Sequence, residues 1–371
     1  MAEAMTTTTT NSRVEQRTSS KPNPPKKNDD IPFAYIYFGF IALFLTFNWR
    51  TFTKTMPTFR SLFIDETSYF IPELKTLMLP MFSLLVVCPA LTYWRSFLKN
   101  NYISPIAESW AGLKPGSLKH DKFLEQAWLA VHYTVATSLG YFVLKEAPWW
   151  PPVISERAVK EIVVKQEDRD LDQEDPGLFL LYALQLGFYM LEFFTLVRNK
   201  NRRSDAMVYF LHHIFTIFLL AGSWVSYHHR IGSLVLFLHD LGDIFLPIGK
   251  CYTYAEEHLR TSLTKEKFER HKMIGMGFFV LFVIAFAIPR LFFFGGLIYQ
   301  SFDRNHWLTC CGLEGDFCGQ CKLAKLYPSS LVFTLGLLYP LHVFWFYLIV
   351  KMAVRLLLQP GQYDDVRSDD E

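Results

Sequence analysis

The chain has 371 residues, of which 51% are hydrophobic, 17% aromatic (35 of them phenylalanine) and only 19% charged. Lys and Arg number 37 against 35 Asp and Glu, a net charge of +2, so no basic excess points to nucleic acid. This composition disfavours a disordered chain, a disulfide-built scaffold and an ordinary soluble enzyme, and favours an all-α, polytopic transmembrane protein.

Residues 1–30 are rich in Thr, Ser, Lys and Pro and include the run Thr6 to Thr10. They cannot bury enough apolar surface to offset their ordering entropy, so a disordered cytosolic tail is expected. The tail contains no apolar stretch, and the first hydrophobic segment is therefore expected to act as an uncleaved anchor. A helix needs roughly 20 apolar residues to cross a hydrocarbon core of about 30 Å. Eight segments are predicted to do so: 33–49, 74–95, 124–144, 177–197, 205–226, 231–249, 273–297 and 328–354. The first two form an N-terminal membrane region, 31–117; the other six make up a second region, 118–357, followed by an acidic tail, 358–371. Pro80, Pro89, Pro247, Pro289 and Pro340 fall inside these spans, where a bundle tolerates proline as a kink.

Basic residues beside the spans set the orientation. Arg13, Arg17, Lys21, Lys26 and Lys27 precede the first span. Arg198, Lys200, Arg202 and Arg203 fill the loop before the fifth, and Arg260, Lys265, Lys267, Arg270 and Lys272 the loop before the seventh. With eight spans all of these lie on one side, so both termini are expected in the cytosol. The acidic loop 145–176 then faces the lumen, as does the loop holding Cys310, Cys311, Cys318 and Cys321. A lumenal compartment permits one or two disulfides among these four, whereas the Cys318-Gly-Gln-Cys321 spacing would also suit zinc. Cys88 and Cys251 are expected to be free thiols.

Ionisable groups inside a membrane span are costly and default to a functional reading. The fifth span carries Asp205, His212, His213 and Thr216; the sixth carries Arg230, His239, Asp240 and Asp243 and ends at Lys250. His212 lies seven residues past Asp205 and Asp243 seven before Lys250, each about 10 Å from the same membrane face at 1.5 Å per residue. In an antiparallel hairpin the five groups His212, His213, His239, Asp240 and Asp243 therefore reach similar depth. His239 and Asp243, four residues apart, share a helix face, and a carboxylate beside an imidazole fixes its tautomer and raises its basicity. Interhelical hydrogen bonding and metal ligation are the competing roles for such a cluster. No His-x-x-x-His pair or other compact ligand motif is present, and no metal is expected. Arg290, beside Pro289 in the seventh span, is available to pair with a carboxylate inside the bundle.

Taken in order, these residues resemble the ceramide synthases, the longevity-assurance branch of the TLC-domain membrane proteins. The resemblance is carried by His212-His213 and Thr216, Ser223, Arg230, Gly232 and Leu234 to Leu236, His239-Asp240, Asp243 and Lys250. Upstream, Arg203, Asp205 and Met207, and Tyr182, Gln185, Phe188 and Tyr189, fit the same pattern. The chain departs from it at Trp224, where the family has tyrosine, at Tyr227, where asparagine is usual, and at Pro247, where glutamate is usual.

The resemblance implies a TLC-type helical barrel around an intramembrane cavity in the endoplasmic reticulum membrane. It implies N-acylation of a sphingoid long-chain base by a fatty acyl-CoA, which acts as co-substrate; no other cofactor is expected. His212 and His213 become the nucleophile and base candidates, with Asp240 and Asp243 orienting His239 or the pair. The cytosolic cluster Arg198, Lys200, Arg202 and Arg203 is the expected contact for the CoA phosphates, although topology alone also calls for it. Expected partners are acyl-CoA, the long-chain base, membrane lipid and a second TLC chain in a homo- or heterodimer. The rival functions are a non-catalytic TLC protein that binds or moves lipid, and a proton-coupled transporter, although the paired broken helices of transporters are not seen.

Overall fold

The computed structural model describes residues 74–147, 149–150, 175–198, 206–303 and 321–358. Among these the regular structure is helical, and seven helical runs are long and apolar enough to cross a membrane. They coincide with the last seven predicted spans; the segment 33–49 lies outside the described residues. The protein is a multi-pass membrane protein.

The first described run is one rod, α1 (Leu74–Phe82), α2 (Cys88–Leu98) and α3 (Ser104–Ser109), joined by π turns at Ser83–Val87 and Lys99–Ile103. Each π turn has a sequence cause. Proline lacks an N–H and its ring collides with the carbonyl four residues back. Pro89 and Pro105 follow the two turns, and there the ladder steps back five residues, from Cys88 N–H to the Ser83 carbonyl and from Ser104 N–H to that of Lys99. Apolar spacing alone predicts 74–95, but the rod runs on to Ser109 because a helix does not stop where hydropathy does.

The remaining helices are α4 (Leu118–Leu144), α5 (Pro176–Arg198), α6 (Ala206–Val225), α7 (His229–Asp243), α8 (Phe245–Ser262), α9 (Lys265–Phe286), α10 (Phe294–Asp303) and α11 (Cys321–Leu358), with a third π turn, Ala287–Phe293, between α9 and α10. Their starts follow ordinary capping chemistry. Ser117 Oγ accepts the His120 N–H at 3.2 Å ahead of α4, and Asp175 Oδ1 accepts the Gly177 N–H at 2.7 Å ahead of α5, with Pro176 in the first turn.

Contacts run α4 to α5, α5 to α6, α6 to α11, α11 to α10 and the third π turn, α9 to α8, and α8 back to α4. Helix α7 packs against α4, α5, α6 and α9, and against the third π turn, inside this ring. Its burial agrees: Arg230, Ser233, Leu236, His239, Asp240 and Gly242 point in different directions and all are buried. Gly242 is required there, since a Cβ would come within 2.9 Å of the Ala285 carbonyl oxygen on α9.

The turn that leads into α7 explains the residue the family pattern favours at one position where this chain departs from it. Tyr227 is the one non-glycine position with positive φ (59°) among the described residues. Asparagine tolerates this left-handed region far better than tyrosine, and asparagine is the residue the family pattern favours at that position.

A charged network fixes the α1–α3 rod to the barrel. Arg95 reaches Glu125 on α4 at 2.5 Å and Glu192 on α5 at 3.5 Å, and donates to Thr195 at 3.1 Å; Lys99 reaches Glu125 at 2.6 Å. Glu192 is only 11% exposed, so removing its cation leaves a largely buried charge. Arg95→Met should therefore destabilise the protein by about 3 kcal/mol, the low end for a broken buried pair, and lower the thermal midpoint in detergent. Adding Glu192→Gln should restore part of the loss. An unchanged midpoint for Arg95→Met would show that the network holds nothing together.

Candidate active site

The five residues predicted to converge sit on the neighbouring helices α6 and α7 but point in different directions. Successive residues of a helix are about 100° apart, so His239 and Asp243 share a face while Asp240 looks elsewhere. Asp240, 1% exposed, points to α5, where it accepts a hydrogen bond from Gln185 Nε2; its Oδ1 is buried with no hydrogen-bond partner. The imidazole partner that the resemblance implies for Asp240 is thus not the one it has. Tyr182, Gln185 and Tyr189 form one face of α5. Tyr182 Oη donates to the His229 carbonyl at 3.0 Å, and the Tyr189 ring lies 6.2 Å from that of His212.

Asp243 pairs with Arg290, whose Nη2 is 2.5 Å from Asp243 Oδ2 and also donates to the His239 carbonyl at 2.8 Å. Arg290 is 5% exposed and sits in the third π turn, just after Pro289. Within this π turn Arg290 faces α7, where it meets Asp243 and the His239 carbonyl.

His239 Nδ1 donates to the Val235 carbonyl at 2.6 Å, and its Nε2 lies 3.1 Å from Nε2 of His342. His342, on α11, is fully buried between His239 (ring centroids 4.7 Å) and His212 (6.3 Å). His212 packs edge-on to Trp345 at 5.2 Å, and its Nδ1 has no hydrogen-bond partner. Thr216 Oγ1 donates back to the His212 carbonyl at 2.8 Å. His213, 2% exposed, turns the other way, with Nδ1 on the Tyr209 carbonyl at 2.8 Å.

Two openings flank these groups. A narrow cavity between α6, α7 and α11 is lined by His212, His239, Thr216, Leu335 and Leu338 and reaches Ser223 and His228 at its far end. Along α7 that is eleven residues from His239 to His228, about 16 Å. On the opposite side, a cleft of about 1170 Å³ begins at Phe245 and Leu246, two residues past Asp243, and widens between α4, α8, α9 and the end of α11. Seven Lys and Arg line it against two Glu.

Among the predicted CoA contacts, Arg198 is exposed at the end of α5 and does not line this cleft, and Lys200, Arg202 and Arg203 lie outside the described residues. Cys310, Cys311 and Cys318 also lie outside them, as does the Cys321 side chain; Cys88 and Cys251 are free and buried.

Sequence reasoning missed His342. The signal was present, an ionisable residue inside the last span, but it stood alone without a neighbouring motif. It also gave Gln185 no role of its own.

A family model described as the TLC domain matches residues 122–351, more than half of the chain. The chain is 32% identical over 253 residues to Ceramide synthase 1 LOH3 of Arabidopsis thaliana, covering 67% of this chain and 74% of that relative. It is 31% identical over 252 residues to ASC1-like protein 1 of Oryza sativa subsp. japonica, with the same two coverages, 67% and 74%. The chain belongs to the TLC-domain family, in the branch that holds the ceramide synthases. Ceramide synthase hyl-1 of Caenorhabditis elegans matches at 29% over 253 residues, covering 67% of this chain and 61% of that relative. Relatives so named support an acyltransferase activity for this TLC protein in general terms. The matched range 122–351 takes in Gln185, His212, His213, His239, Asp240, Asp243, Arg290 and His342.

Proposed function

We propose that this protein N-acylates a sphingoid long-chain base with a fatty acyl-CoA, forming a ceramide or dihydroceramide inside the membrane. The observation that carries this reading is the position of His212, His239 and Asp243 between a narrow apolar cavity and a broad basic cleft. A donor with a polyanionic head and a hydrocarbon tail suits that pair of openings. The head stays in the cleft, the thioester reaches the histidines, and the chain occupies the apolar cavity.

The reaction breaks the thioester C–S bond and forms the amide C–N bond. The attacking nitrogen gives up a proton, and the departing thiolate takes one to leave as the CoA thiol. An alkylamine with a lysine-like pKa of about 10 is mostly protonated at neutral pH, so it needs a base beside it. His212, whose ring lines the cavity, is assigned to the reacting carbon and nitrogen. It acts as general base toward the amine, or as nucleophile through an acyl-imidazole that the amine then opens. Intact mass after incubation with acyl-CoA alone separates the two, because only the second adds an acyl group to the protein. The reading places the protein in the endoplasmic reticulum membrane with both termini in the cytosol, so that the basic cleft faces cytosolic acyl-CoA.

The direct test is turnover by purified protein in lipid. Release of CoA and formation of the N-acylated base in equal amounts support the reading; CoA release without amide, or neither product, would move the chain to lipid binding. The cleft makes a separate prediction. Lys250→Glu combined with Arg355→Glu should raise KM for acyl-CoA roughly 10-fold or more, the value of a charge-assisted contact, with kcat changed much less. An unchanged KM would remove the phosphates from the cleft.

A further inference from the structure

The tautomers of two facing imidazoles can be read from their partners. A carbonyl oxygen only accepts, so His239 Nδ1, 2.6 Å from the Val235 carbonyl, carries the proton. In a neutral imidazole the other nitrogen is then an acceptor, which makes His239 Nε2 a lone pair. The Nε2–Nε2 contact of 3.1 Å is a hydrogen bond only if His342 supplies the proton. His342 is thereby fixed in the opposite tautomer, with its lone pair on Nδ1, a buried atom without a hydrogen-bond partner.

His239 is thus held at three points on three elements. Val235 takes its Nδ1–H within α7, Arg290 of the π turn donates to its carbonyl, and His342 of α11 meets its Nε2. The His342 ring is itself fixed between Phe294 at 5.3 Å, Phe286 at 6.4 Å and Trp345 at 6.1 Å. An apolar or aromatic residue would fill that space equally well. Placing an imidazole there, fully buried in a span, carries a cost that packing alone does not explain.

We propose that His342 is a positioning residue for the acyl-transfer site: it donates its Nε2–H to the lone pair that the Val235 bond leaves on His239 Nε2, holding that imidazole in the wall of the cavity. This rests on the acyltransferase reading above for its kinetic consequence, but not for its structural one. His342 does not line the cavity and acts through His239, which does.

The test compares His342→Phe, which keeps an aromatic ring among the three neighbours but donates nothing, with His342→Gln, whose amide N–H can still donate. The Phe variant should lose about 10- to 100-fold in kcat, a fraction of what a positioned acid–base group contributes, with KM for both substrates within about twofold. The Gln variant should recover most of that loss. In parallel, ¹⁵N spectra of histidine-labelled protein in lipid nanodiscs, assigned with His239→Asn, report the His239 Nε2 directly. In the wild type and the Gln variant it should show a lone pair that accepts a hydrogen bond; in the Phe variant, one that does not. If the Phe variant fails to fold, His342→Leu takes its place. Wild-type kcat in the non-donating variant, equal losses in both variants, or an unmoved His239 signal would each overturn the proposal. If the wild type proves inactive, the acyltransferase reading fails, and the spectra alone still decide whether His342 donates to His239 Nε2.

Discussion

His212→Ala should leave a folded, lipid-replete protein whose N-acylation rate has dropped by about 10³-fold or more, and His213→Ala should not behave the same way. The two neighbours differ in placement. His212 lines the apolar cavity and has a buried Nδ1 with no hydrogen-bond partner, so no hydrogen bond from that nitrogen is lost with it. Removing a group that acts as base or nucleophile costs at least the 10² to 10⁴ that acid–base assistance typically contributes. His213 is 2% exposed, absent from the cavity lining, and bonded to the Tyr209 carbonyl. Its truncation deletes a buried ring and a hydrogen bond, so its larger effect should be a loss of stability of about 3 kcal/mol, in the manner of other buried rings, read as a lower thermal midpoint. Assays normalised to folded protein separate the two. Equal kinetic losses at matched stability would mean that both histidines take part in the chemistry.

Arg290 has the second large effect, on stability and rate together. Its guanidinium faces Asp243 and the His239 carbonyl from inside the bundle. Arg290→Gln strands the Asp243 carboxylate, and breaking a buried pair by removing one partner costs about 3–5 kcal/mol. The thermal midpoint should fall and N-acylation should be lost. The double variant Arg290→Gln, Asp243→Asn removes both charges, so stability should largely return while activity does not. That non-additivity measures the coupling of the pair apart from its role in turnover. If the double variant is no more stable than Arg290→Gln alone, the contact is not what holds α7 to the π turn.

Much of the fold was legible because hydropathy and span length report directly on the membrane. The seven described spans lie where apolar length places them. What length does not encode is where a helix ends outside the bilayer: α8 continues to Ser262 and the first rod to Ser109 through polar residues. The convergence of His212 and His239 followed from depth along two hairpinned helices, a one-dimensional argument that survives folding. Direction around each helix does not follow from depth. Asp240 turned to Gln185 and Asp243 to Arg290 because α5 and the π turn, distant in sequence, occupy those sides of α7. His342 escaped notice for the same reason: its partner is 103 residues away, and nothing local marks it.

The central claim is that one intramembrane His/Asp site makes the amide bond. The measurement that meets it most directly is N-acylation of a sphingoid base by the purified protein across a series of acyl-CoA chain lengths, beside His212→Ala and Asp243→Ala at matched folding. The account predicts turnover by the wild type with a defined chain-length preference and a rate lower by about 10³-fold or more in either variant. Near-wild-type turnover in a well-folded His212→Ala protein, or no turnover by the wild type with any chain length, would contradict it.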